Sequence, residues 1–257
     1  MVRPRRWCSI SHVLLLGTFA GLLVVAQLQA SCRAHTAEPV VASPPAAQVS
    51  TPPPSPPITA ETPPVESGKF RAPDLVELIK LEPALKLDIR YATANNFVGR
   101  PLYAEARAFL QRPAAEALQR AHQKLRKQGY GLLIFDGYRP WAITKLFWDV
   151  TSGEQRNFVA DPRKGSKHNR GCAVDLSLFD LNTGKEVEMP GAYDEMTERS
   201  YPTYKGGTAA QRRARDLLRA AMEAEGFTVN EYEWWHFDYK DWREYPILNL
   251  SFAELSR

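Results

Sequence analysis

Two short stretches hold the side chains best suited to hydrolytic chemistry: "GSKHNRGCAVDLSLFD" (residues 165–180) and "YEWWHFDY" (residues 232–239). His168 and Asp175 in the first and His236 in the second make a set of two nitrogens and one oxygen. That set suits zinc, which in catalytic sites keeps a fourth position for water. Glu233, three residues before His236, is a carboxylate that can take a proton from such a water if it stays off the metal. Arg139 in "FDGYRP" is a permanent cation with fixed donors, fit to stabilise the oxyanion formed when a carbonyl is attacked. Each residue also has a plainer reading. Asp175 can cap a turn or pair with Arg170, Glu233 can be an ordinary surface acid, and Arg139 can form a structural ion pair with Asp136. A histidine standing alone is more often packed or solvated than a ligand. His122, set among basic residues on a helical stretch, is expected on a solvated face. Cys172 reads as a small buried residue without a base beside it, and Trp234 and Trp235 as core and cleft wall.

These groups meet only if particular elements bring them together. In "GCAVDLSLF", Val174, Leu176 and Leu178 alternate with Ala173, Asp175 and Ser177, so a strand sends the first set inward and Asp175 to the opposite face. Gly171 can adopt positive φ and turn the chain from His168 into that strand. The aromatic run around His236 favours a strand, where a spacing of three places side chains on opposite faces. Glu233 is therefore expected in a loop or bulge just before it. Elsewhere, Leu85, Leu87 and Ile89 alternate with charged residues and predict a strand. Residues 112–129 predict a helix with Leu118, Ala121 and Leu125 on its buried face and Gly129 closing it. "YGLLIFDGYRP" predicts a buried strand running into a loop, and "WAITKLFWDV" a helix. Residues 208–226 form the clearest helix, with Thr208 and Gln211 in capping-box register, Leu217, Ala221 and Met222 inward, and Gly226 as the stop. No internal repeat is visible. The mixture predicts one α+β domain with a central antiparallel sheet flanked by helices.

The 257 residues divide unevenly. A basic start, "MVRPRRW", and an apolar run from Val13 to Ala26 read as a secretory signal over residues 1–32. Cleavage near Ala30 and lipid attachment at Cys32 are both open, and with the second a membrane tether at the N-terminus. Residues 33–69 are dominated by Pro, Ala, Ser and Thr and read as a disordered spacer. Residues 70–257 are the folded domain. Export to the periplasm or cell envelope is the expectation. Of three cysteines only Cys172 lies in the domain, which excludes a disulfide inside it. A net charge of +4 with no basic stripe argues against nucleic acid as a partner.

"SKHNRGCAVDL" fits Ser-x-His-x-x-Gly-x-Ala-x-Asp and "EWWH" fits Glu-x-x-His; with "FDGYRP" and "MPGAYDEMTERS" in the same order, the chain resembles the zinc D-alanyl-D-alanine dipeptidases of the VanX type, in peptidase family M15. The resemblance implies the Hedgehog/D,D-peptidase fold, one zinc ion on His168, Asp175 and His236, Glu233 as general base, and Arg139 steadying the tetrahedral intermediate. It also implies that Asp194 holds the free amino group of the dipeptide and that Ser166 lines the site. D-Ala-D-Ala or a related peptidoglycan fragment is then the substrate. The rival readings are a carboxypeptidase or endopeptidase of the same fold acting on longer wall peptides, and a zinc-bearing binding module without catalysis.

Overall fold

The alternation expected around Asp175 becomes β5 (Ala173–Asp180), the middle strand of a five-stranded sheet in the computed structural model, which describes residues 62–256. Numbered in chain order, the sheet runs β2 (Lys86–Leu87), β4 (Tyr130–Asp136), β5, β7 (His236–Tyr239) and β6 (Phe227–Val229). The pairings from β4 to β6 are antiparallel, as expected, but the edge strand β2 runs parallel to β4. The sheet is thus mixed. A separate antiparallel pair joins β1 (Leu75–Glu77) and β3 (Phe109–Gln111). The strand expected from the alternation at 85–89 keeps the burial of Leu85 and Ile89, yet only two residues pair before the chain tightens into a 3-10 turn at Arg90–Ala92. The expected leader and most of the expected spacer lie outside the described residues. Contacts with the body already begin at Glu66, whose Oε2 accepts from the Ile247 amide at 2.7 Å.

Two amphipathic helices, α2 (Arg112–Arg126) and α4 (Ala209–Glu223), cover one face of the sheet against Leu132, Ile134, Val174, Leu176 and Leu178. Helix α2 begins with Pro in its first turn, and Gly129 takes a positive φ of 87° just beyond its end. The Thr208–Gln211 capping box opens α4, and its inward ridge is Leu218 and Met222, with Leu217 and Ala221 at the margin. Two shorter helices are α1 (Leu78–Leu81), which follows β1 directly, and α3 (Trp141–Val150), which follows the loop after β4.

His122 corrects the sequence reading. It is fully buried on α2, and its Nδ1 accepts a hydrogen bond from the Leu132 amide at 3.1 Å. The small residues Ala114, Ala115, Ala117 and Ala121 let α2 press close to β4, so the buried face is wider than its basic residues suggest.

The opposite face of the sheet carries the chemistry. β4 has an irregularity between Ile134 and Asp136 that makes Phe135 the extra residue and sets Asp136 directly across from Asp175. Asp175 is in turn opposite His236 on β7. Three polar side chains therefore form a row across three neighbouring strands.

Candidate active site

Cross-strand pairing explains why Asp175 and His236 are neighbours, since directly opposed side chains share one face of the sheet. His168 arrives from the 3-10 turn His168–Arg170, which ends at Gly171 in the left-handed conformation, φ 67°. The positive φ favours glycine there, and a Cβ would crowd Leu75 Cδ2 at 2.3 Å and the Gln111 backbone nitrogen at 3.3 Å. The turn is pinned from outside: Asn169 donates to Arg139 O at 2.9 Å and to Thr144 Oγ1 at 2.8 Å, and accepts from the Ser166 amide at 2.7 Å.

Nε2 of His168, Nδ1 of His236 and Oδ1 of Asp175 form a triangle with sides of 3.1, 3.1 and 3.3 Å. Four ligands around a zinc ion at about 2.0–2.1 Å stand roughly 3.3 Å from one another, so the triangle has the right size. Proton placement strengthens the match. His168 Nδ1 donates to Gly137 O at 2.7 Å and His236 Nε2 donates to Asp238 Oδ1 at 2.8 Å, which turns the second nitrogen of each ring inward, as a metal ligand requires. Asp175 Oδ1 is buried without a hydrogen-bond partner among the described residues. Three acceptors facing each other across about 3 Å repel unless a cation lies between them. These residues fit a metal ion.

The surroundings repeat that demand for positive charge. Burial alone would lower the pKa of His236, but Asp238 and Asp175 outweigh it and push it up to about 10, so its inward Nδ1 holds either a proton or a metal ion. Asp175 is held well below the carboxylate range despite burial, because His168 and His236 face it. Its Oδ2 accepts from Tyr193 Oη at 3.1 Å.

Glu233 lies in the turn before β7, as its spacing predicts, with Oε2 3.6 Å from His236 Nδ1. It coordinates no group in the triangle. Burial, reinforced by Asp175 and opposed by His236, pushes its carboxyl up to about 7. Arg139 is buried against Asp136, with Nη2 2.8 Å from Asp136 Oδ2 and 3.4 Å from Asp175 Oδ2. The structural ion pair and the site position are therefore both true of Arg139. Its guanidinium also stacks over Phe147 and Tyr91 at 4.8 and 5.3 Å. Arg170, the other partner weighed for Asp175, turns away to Glu66 and the Tyr245 carbonyl.

Asp194 and Ser166 line the same cavity of about 450 Å³ as the triad, Glu233 and Arg139. Asp194 accepts from Tyr91 Oη at 3.0 Å and is the one described non-glycine residue with positive φ, 57°. Burial first, then Asp175 and Glu233, push its carboxyl well above the usual range. Ser166 Oγ accepts from the His168 amide at 3.2 Å, which helps shape the turn. Cys172 is buried, with its thiol pushed up to about 12, and both tryptophans are in the core.

The peptidase M15 family, described as D-Ala-D-Ala dipeptidase, matches residues 71–254. The chain belongs to that family. It is 36% identical over 180 residues to D-alanyl-D-alanine dipeptidase of Escherichia coli, an alignment covering 70% of this chain and 92% of the relative. To the enzyme of the same name from Enterococcus faecalis it is 35% identical over 187 residues, covering 66% and 92%. A crystal structure of the vancomycin-resistance D,D-dipeptidase VanXYg with a D-Ala-D-Ala phosphinate analogue aligns over 65% of this chain and 67% of that one at 22% identity, with a TM-score of 0.35.

The M15 chain also places residues at its site that sequence reasoning passed over. Asp238 holds the outer nitrogen of His236, and its signal was available: on a strand, residues two apart share a face. Tyr91 and Tyr193 come from turns far apart in sequence and carried no such signal.

Proposed function

We propose that this M15 peptidase hydrolyses D-alanyl-D-alanine, or a dipeptide close to it, with one zinc ion held by His168, Asp175 and His236. The observation that carries this is the convergence of two inward ring nitrogens and a carboxylate oxygen beside the partly buried carboxyl of Glu233. Zinc held there supplies Lewis acidity to the scissile carbonyl and to the attacking water. Glu233, with a pKa near 7, takes the water's proton and returns it to the leaving amine. Arg139 uses Nε and Nη2 on Asp136 and Asp175, which leaves Nη1 for the developing oxyanion. Asp194 pairs with the substrate's ammonium group: a carboxyl that is costly to ionise alone gains most from an arriving cation. Ser166 contributes its hydroxyl to the wall.

Metal analysis of the purified protein and a dipeptide panel test this reading. One zinc per chain and hydrolysis of D-Ala-D-Ala are expected, and Glu233→Gln should keep the metal while losing roughly 10²- to 10⁴-fold in kcat. A wild-type protein that turns over only N-blocked pentapeptides would assign the chain to the longer wall peptides instead. We further propose export, supported by the basic start and apolar run; an N-terminus that begins at Met1 in the mature protein of fractionated cells would count against a cleaved signal.

A further inference from the structure

A free dipeptide is a zwitterion, so a site that selects it must meet two opposite charges. The reading above answers the ammonium with Asp194 and leaves the carboxylate without a partner. That carboxylate enters a cavity already lined by Asp175, Asp194, Glu231, Glu233 and Asp238. Without a cation close by, the ionised carboxylates among them repel it.

Arg139 and Lys167 are the two Lys or Arg side chains among the described lining residues. Arg139 is locked onto Asp136 and Asp175 at the buried end, where the scissile carbonyl has to lie. Lys167 differs in each respect. It precedes the ligand His168, its side chain is 36% exposed, and its Nζ stands 3.2 Å from Asp238 Oδ2. Asp238 in turn grips the outer edge of His236 at 2.8 Å, so the ammonium lies just beyond the ring that flanks the metal position. Consecutive residues are spaced by about 3.8 Å, which puts the C-terminal carboxylate one residue past the scissile carbonyl, in the cavity that Lys167 also lines. An ammonium has three donors, and Asp238 takes one.

We infer that Lys167 binds the C-terminal carboxylate of the dipeptide, so that the site reads both ends of its substrate. This rests on the dipeptidase reading and sharpens it: Asp194 selects against chains extended at the amino end, and Lys167 against chains extended or amidated at the carboxyl end. Lys167 is then a specificity-determining residue.

Calorimetric titration of the zinc-loaded, full-length Glu233→Gln protein with D-Ala-D-Ala tests this without turnover. Adding Lys167→Met should weaken binding of the free dipeptide about tenfold or more, and Lys167→Arg should recover most of it. D-alanyl-D-alaninamide should bind the lysine-bearing protein weakly and lose nothing further in Lys167→Met, so that the preference for acid over amide collapses. Equal weakening of acid and amide, or loss of zinc in Lys167→Met, would overturn the inference, because Lys167 would then act only through Asp238 and His236. Unchanged affinity for the acid would overturn it as well. The dipeptidase reading stands or falls separately, on hydrolysis by the wild type.

Discussion

His122 and His168 are both buried, both held through Nδ1, and opposite in chemistry. His122 accepts at Nδ1 from the Leu132 amide, which leaves its proton on an Nε2 that has no partner among the described residues. His168 donates at Nδ1 to Gly137 O, which leaves a lone pair on an Nε2 facing Asp175 and His236. What separates a core histidine from a ligand here is the direction of one hydrogen bond. Burial makes no distinction between them, and neither does residue type. The backbone decides it: an amide faces one ring and a carbonyl faces the other.

The largest contrast should come from truncating each ring. His168→Ala should lose zinc and drop kcat/KM for D-Ala-D-Ala by on the order of a thousandfold, whereas His122→Ala should stay within about twofold in assays of the folded protein. Comparable losses in both would erase the distinction. Next in size, chelation should lower the melting temperature of wild type and of His122→Ala, because the metal binds the folded state, by a linkage of about 4 kcal/mol at a thousandfold excess over Kd. The same treatment should leave His168→Ala nearly unmoved.

A smaller effect concerns stability alone. His122→Leu strands the Leu132 amide in the core and should cost about 1–3 kcal/mol, read by denaturant unfolding, with the metal affinity of the folded protein unchanged. The subtlest test is pH. Burial, helped by Arg126 and opposed by Glu82, lowers the pKa of His122 below 6.5, so the folded protein holds fewer protons than the unfolded chain. The stability this contributes is complete above pH 6.5 and is lost as pH falls below it through the folded value. Relative to His122→Gln, wild type should therefore lose stability more steeply on acidification. Parallel curves would show that His122 does not titrate differently on folding.

Much of the site was legible because local rules coincide with tertiary ones. The alternation around Asp175 fixes the face it presents, and the aromatic run around His236 forces Glu233 into the preceding turn, where it lies. Gly171 announced the bend that delivers His168. The misreading of His122 has a physical source: polarity marks an exposed helix face only when the residues beside it are bulky, and the alanines of α2 let the sheet come close enough to bury it. The parallel edge strand β2 pairs with β4 far along the chain, Tyr91 reaches Asp194 across 103 positions and Tyr193 reaches Asp175 across 18 from a separate turn, and no short-range pattern encodes such contacts.

Asp194 carries two burdens at once: a left-handed backbone posture that asparagine or glycine takes with less strain, and a carboxyl that resists ionising. On the proposed reading a positively charged guest lifts the second burden and its departure restores it, so local tension at the cavity wall rises and falls with each cycle. Asp194→Asn should accordingly give a sturdier loop, with a melting temperature at or above that of wild type, and a weaker hold on the dipeptide. Grip and comfort pull against each other at that single position.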